Sequence, residues 1–218
     1  KIYKLDPSKP MSMKQLISDL RGKGGRVVIL PEGRITTSTG IMKIYEGASL
    51  IAQKTGSFTD PRDGKTYKTV TIDTQTWFAE NLAFKTGTGN FWFLENDQGN
   101  LAMFGYLYDW ETAKNACPAG WRLPAESDFM ILVNFLGGER VAGGKLKSMS
   151  EWGSPNTGAT DESGFSALPG GMRELSGAVT GAGKYSDWWS SSESGGESAR
   201  SLSRGYNGSD VGMFVPPR

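Results

Sequence analysis

Cys117-Pro118-Ala119-Gly120-Trp121-Arg122-Leu123-Pro124 is the stretch that organises the second half of this chain. Gly120 suits a positive φ or a close backbone approach, and Trp121 has the apolar area of a core residue. On its N-terminal side, Leu107 to Cys117 reads as a helix. On its C-terminal side, Pro124-Ala125-Glu126-Ser127 opens a second helix, predicted to run to Leu136 and to stop at Gly137-Gly138. After Gly143 the pattern holds no further long helix, only loops and short strands.

Working outward, Asp60-Pro61-Arg62-Asp63-Gly64 is a turn by its chemistry. The β-branched alternation from Lys68 to Ile72 and the run Gln75-Thr76-Trp77-Phe78 predict strands. Trp77, Trp110, Trp121 and Trp188 are expected in the core. Residues 1–56 have a different texture. Ser12 precedes Met13, Leu16, Ile17 and Leu20 at helical spacing, and Arg26 to Leu30 reads as a strand closed by Pro31. Ile41 to Ile51 holds a further strand or two. The expected class is therefore α+β: a small α+β attachment or assembly segment over 1–56, then a domain over 57–218 with two helices and short irregular strands.

Composition narrows the chemistry. Thirty glycines and ten prolines among 218 residues call for many turns and irregular connections. Twenty-four basic residues oppose 23 acidic ones, a balance that gives no reason to expect nucleic acid as a partner. There is no histidine and one cysteine, Cys117. Ser-His-Asp and Cys-His nucleophile pairs and imidazole zinc sites are thereby excluded. No apolar run approaches the roughly 20 residues that span a bilayer. The start, Lys1-Ile2-Tyr3-Lys4, lacks a signal-peptide core, so either a leader is removed ahead of it or export takes another route.

Six words fall in order along the chain. They are Asp63-Gly64-Lys65-Thr66-Tyr67, Gln75-Thr76-Trp77-Phe78-Ala79-Glu80-Asn81-Leu82, Gly105-Tyr106-Leu107-Tyr108-Asp109-Trp110, the stretch from Cys117 to Pro124, Gly164-Phe165-Ser166-Ala167-Leu168-Pro169-Gly170-Gly171, and Trp188-Trp189-Ser190-Ser191-Ser192-Glu193. Together they resemble the Fibrobacter succinogenes major paralogous domain, a family of bacterial surface proteins similar to C-type-lectin and formylglycine-generating-enzyme folds. The resemblance implies a C-type-lectin-like fold and a location on the bacterial cell surface, in the secreted fraction or on a phage tail. It also implies a last strand of the form Gly-Phe-Ser-Val-Arg-Cys, whose cysteine pairs with that of the Cys117 stretch. This sequence reaches Pro216-Pro217-Arg218 before any such strand. Cys117 is then either half of that disulfide or a free thiol acting as a small hydrophobe.

In C-type-lectin-like folds the ligand face follows the second helix. Here Ser190 to Asp210 is rich in Ser, Gly, Glu, Arg, Tyr, Asn and Asp, a vocabulary that binding loops favour, with Leu202 and Val211 as inward anchors. The candidate ligand-binding residues are Tyr185, Arg200, Ser201, Ser203, Arg204, Tyr206, Asn207 and Asp210. Tyr185, Tyr206, Arg200 and Arg204 are expected to be the anchors. The stretch also resembles the variable region of diversity-generating-retroelement proteins, whose codons start from asparagine and diversify at adenines. Arg200, Ser201, Ser203, Gly205, Tyr206, Asn207, Asp210 and Gly212 are all reachable in that way. The expected activity is non-enzymatic binding of a protein or glycan, without cofactor, metal or membrane span, and with self-association through the N-terminal segment. Lectin calcium words are absent, which leaves Asp109, Asp161, Glu162 and Asp187 without a recognisable site. Two alternatives are a structural fimbrial or virion subunit and an oxidase of the formylglycine-generating type. As the related enzymes use it, that oxidase chemistry needs two reactive cysteines and a copper, and one cysteine does not suffice.

Overall fold

The computed structural model describes residues 28–29, 34–37, 40–43 and 54–216, apart from 175, 196 and 197. The chain divides into two compact units after Ala52. In the first, β1 (Val28–Ile29), β2 (Arg34–Thr37) and β3 (Gly40–Lys43) form an antiparallel sheet in that order. β1 falls inside the expected Arg26–Leu30 strand, and β3 overlaps the start of the Ile41–Ile51 segment. The helix expected from Ser12 to Leu20 lies outside the described residues.

The second unit begins with a three-stranded antiparallel sheet, β4 (Lys54–Thr59), β5 (Thr66–Ile72) and β6 (Gln75–Phe78). The Asp60–Gly64 turn joins β4 to β5, with the Gly64 N–H donating to the Asp60 carbonyl at 2.8 Å. Tyr67, Val70 and Ile72 of β5 are buried, each contributing roughly 2 kcal/mol of apolar transfer. A two-residue pair, β7 (Phe91–Trp92) with β8 (Leu107–Tyr108), flanks α1 (Gln98–Phe104). α2 (Trp110–Ala116), α3 (Glu126–Phe135) and α4 (Glu139–Leu146) follow. β9 (Met172–Arg173) pairs with β10 (Val179–Thr180), and the last sheet is β11 (Tyr185–Glu193), β12 (Ala199–Gly205) and β13 (Gly212–Phe214), antiparallel in that order. The class is α+β.

Among the described residues of the second unit, four helices stand where two were expected. The first expected helix is shorter than its pattern: Leu107 and Tyr108 are a strand, and Asp109 caps α2 by accepting from the Thr112 N–H at 2.8 Å. The second holds, from Glu126 to Phe135. α1 escapes sequence reading because none of its residues is buried, so it carries no apolar stripe. α4 escapes it because it runs through Gly143-Gly144, where propensity argues against a helix. Among the described residues, no helix is long and apolar enough to cross a membrane.

Phe129, Leu132 and Val133 of α3 and Leu202 of β12 are core residues. Trp110 is also fully buried, and its Nε1 donates to the Ser190 carbonyl at 2.7 Å, tying α2 to β11. The other three core tryptophans are half-buried within aromatic stacks. Trp77 stacks on Phe129 with centroids 5.5 Å apart, Trp121 on Phe78 at 4.0 Å, and Trp188 meets Phe165 edge-on. Polar residues of the same words satisfy backbone. Glu80 accepts from the Lys68 N–H, while Asn81 donates to the Phe104 carbonyl and accepts from Trp188 Nε1.

Candidate binding surface

The β11–β12 pairing sets the site. Directly opposed residues share a face and successive residues alternate, so the register sorts the expected binding residues into two groups. Trp188 opposite Leu202 and Ser186 opposite Arg204 face inward; Asp187 opposite Ser203 and Trp189 opposite Ser201 face the other way. Tyr185, opposite Gly205, joins that second face and is 42% exposed.

Two expected contacts are corrected by this arrangement. Arg204 is buried: its guanidinium donates to the Gly208 carbonyl and sits 3.2 Å from the Asp210 carboxylate. Burial lowers its pKa, with Asp210 acting the other way. It supports the 205–211 loop between β12 and β13 from beneath and offers no contact surface. Ser201 is fully buried between its register partners Trp189 and Phe214, and its hydroxyl has no partner. Arg200 is half-exposed but already engaged, with its Nε 3.1 Å from Glu126 at the start of α3. Five residues of strand, about 17 Å, separate it from Gly205, where β12 ends and meets the start of β11.

The remaining residues converge on that end. Tyr185 and Tyr206 meet edge-to-face with centroids 6.4 Å apart. Asn207 and Asp210 are exposed beside them. Ser203 donates to Asp187, a half-buried carboxylate whose pKa burial raises and this hydrogen bond partly restores. Sequence reading passed over Asp187 as a surface-face residue, although its position midway between Tyr185 and Trp189 already fixed its face. It also missed Lys147, which lies beneath the loop and carries no local signal.

A concavity lies between the β4–β6 and β11–β13 sheets of the second unit. It encloses about 510 Å³ and is walled by Trp77, Phe78, Tyr108, Trp121, Trp188 and Trp189, with Cys117 and Asp187 in its lining. Five of the six words contribute to it. β6 and β11 are both edge strands and both line it. The Trp77 indole N–H and the Gln75 amide oxygen are buried there without partners. Burial raises the Cys117 thiol pKa, against a smaller opposite pull from Arg62.

The candidate metal carboxylates are dispersed in separate roles. Asp109 caps α2, Asp161 accepts from the Ser166 N–H and hydroxyl, Glu162 pairs with Lys145, and Asp187 bonds Ser203. Among the described residues, no group of three or more Cys, Asp or Glu side chains could hold a metal ion.

The family model described as the Fibrobacter succinogenes major domain matches residues 70–213. The chain belongs to this family. The Fibrobacter major domain therefore takes in β6, all four helices and the β11–β12 hairpin, and the match ends within β13. No solved structure matches the chain.

Proposed function

We propose that the second unit is a non-enzymatic ligand-binding module of C-type-lectin-like architecture, carried on a bacterial surface or a phage tail, that engages a protein or glycan where β11 begins and β12 runs into the loop before β13. The helices on either side of the Cys117–Pro124 connector and the long terminal hairpin support the architecture. One observation carries the binding reading: Tyr185 and Tyr206 form a presented aromatic pair, flanked by Asn207 and Asp210. Tyrosine supplies rigid contact area at small entropic cost, and tyrosines are enriched at binding hot spots.

The reading extends to a diversified surface. Ser203, Gly205, Tyr206, Asn207, Asp210 and Gly212 lie on or next to the presented face, and adenine mutagenesis of asparagine codons reaches all of them. A near-identical template repeat and a reverse-transcriptase gene beside the coding sequence are expected; a locus with neither overturns this extension.

The test of binding is a glycan and surface-protein screen, repeated with the Tyr185→Ala/Tyr206→Ala double variant. Loss of the captured ligand with a thermal midpoint within about 3 °C of the parent supports the assignment. Full retention of binding by the double variant places the ligand elsewhere.

A further inference from the structure

The loop from Gly205 to Val211 is held almost entirely through its main chain. Lys147, at the C-terminal end of α4, is fully buried. Its ammonium group donates to the carbonyls of Thr157 at 2.9 Å, Gly208 at 3.1 Å and Tyr206 at 3.3 Å. Arg204 donates to the same Gly208 carbonyl. Main-chain bonds complete the attachment. The Gly144 N–H donates to Ser209, Thr157 to Tyr206, Tyr206 to Lys184 and Val211 to Glu139, at 2.8 to 3.0 Å.

Gly143 and Gly144 let the loop lie flat on α4. A Cβ at Gly143 would overlap the Asp210 carbonyl, and one at Gly144 would overlap the carbonyl of Gly158. Gly143, Gly144 and Lys147 are spaced three and four residues apart, so they occupy one helix face. That face is a seat for backbone. Within the loop, only Ser209 and Asp210 add side-chain bonds, to the Arg140 carbonyl and to Arg204. None of the bonds uses the side chain of Tyr206 or Asn207.

We infer that Lys147 is a positioning residue for a display loop, fixing the main chain of residues 205–211 from below so that Tyr206 and Asn207 can be exchanged without moving it. A buried ammonium with three carbonyl ligands serves here as an internal cross-link between the 157 loop and the 206–208 loop. The inference deepens the binding reading and takes the loop's purpose from it, but the geometry stands without any ligand.

The test is native-state hydrogen exchange on the full chain, so its outcome is independent of the ligand screen. In the Tyr206→Ala/Asn207→Ser variant, the Gly144, Thr157 and Val211 amides should keep their protection within about threefold. In Lys147→Met, protection at Gly144 and Thr157 should fall by about tenfold or more, while the α3 amides stay protected. Should Lys147→Met fail to fold, Gly143→Ala serves in its place. It raises helix propensity yet lifts the loop, so exchange should accelerate at Val211 and not within α3. Equal loss of protection in the Tyr206/Asn207 variant, or unchanged protection in Lys147→Met or its substitute, overturns the inference.

Discussion

Arg200 and Arg204 are four residues apart on one strand, of one residue type, and do different things. Arg200 holds Glu126 where both are about one-third exposed, and such pairs contribute less than about 1 kcal/mol. Arg204 is buried to 5% exposure and donates to a main-chain carbonyl. Removing it leaves the Gly208 carbonyl to Lys147 alone, takes the cation from Asp210 and empties space against α4. Charge-assisted bonds of this kind are worth about 2 to 3 kcal/mol. Arg204→Ala should therefore lower the urea midpoint by that equivalent, with an unchanged m-value. Arg200→Ala should leave the midpoint within about 0.5 kcal/mol of the parent. A sequence reader sees two arginines in a polar strand. Four apart on β12, the two share a face, and what packs there decides between them: α4 and the Gly208 carbonyl at Arg204, the start of α3 at Arg200.

The β4–β5 hairpin was legible because its turn chemistry is local. Asp60-Pro61-Arg62-Asp63-Gly64 closes as its residues require, and Gly64 takes φ +77°. The β11–β12 element was legible only as a composition. Serines at 186, 190 and 201 look like surface residues, but all three are buried. Ser201 lies between its register partners Trp189 and Phe214, and the Ser190 carbonyl receives the Trp110 indole N–H from 80 residues away. The missed α4 has the same cause in reverse, since tertiary packing seats Gly143-Gly144 in a helix that propensity rejects.

The hairpin turn also carries a pH dependence. Asp60 is fully buried and accepts from the Arg62 N–H, Nε and Nη2 at 3.0, 2.9 and 2.7 Å; Arg62 Nη1 reaches the Cys117 carbonyl. The Arg62 side chain is the main reason that the Asp60 pKa lies below its ordinary value of 3.8, with burial opposing. Below that ordinary value the unfolded chain binds the proton more readily than the folded one. The stability from this pair is thus complete above pH 3.8 and is lost as the pH falls through the depressed folded value. Urea midpoints measured from about pH 5 to pH 2 should fall more steeply for the parent than for Asp60→Asn. Parallel slopes would assign the acid limb to other carboxylates.

At the scale of the whole molecule, the 510 Å³ groove is lined by residues of both three-stranded sheets of the second unit. β6 ends one sheet and β11 ends the other; the outer edge of β11 is partly taken by Gly171, Pro124 and the Trp110 indole, which leaves β6 as the edge facing the aromatic space. Backbone edges of this kind are templates for strand addition. The family resemblance implies a strand of the form Gly-Phe-Ser-Val-Arg-Cys, whose alternate apolar residues suit walls made of Trp77, Phe78, Trp121 and Trp188. Its cysteine has a counterpart in Cys117, which lines the groove. A synthetic peptide of that sequence, its cysteine carried as a mixed disulfide with an aromatic thiol, should therefore join the protein in trans. The Cys117 thiolate attacks the peptide sulfur and the aromatic thiolate leaves, so no oxidant is needed. Burial raises the Cys117 thiol pKa, which slows simple reagents; a peptide seated along β6 gains from effective concentration instead. The expected result is a mass increase of one peptide, faster than with a scrambled sequence, absent in Cys117→Ser, and accompanied by a higher thermal midpoint. Equal rates for the two sequences would show that the edge does not select a strand.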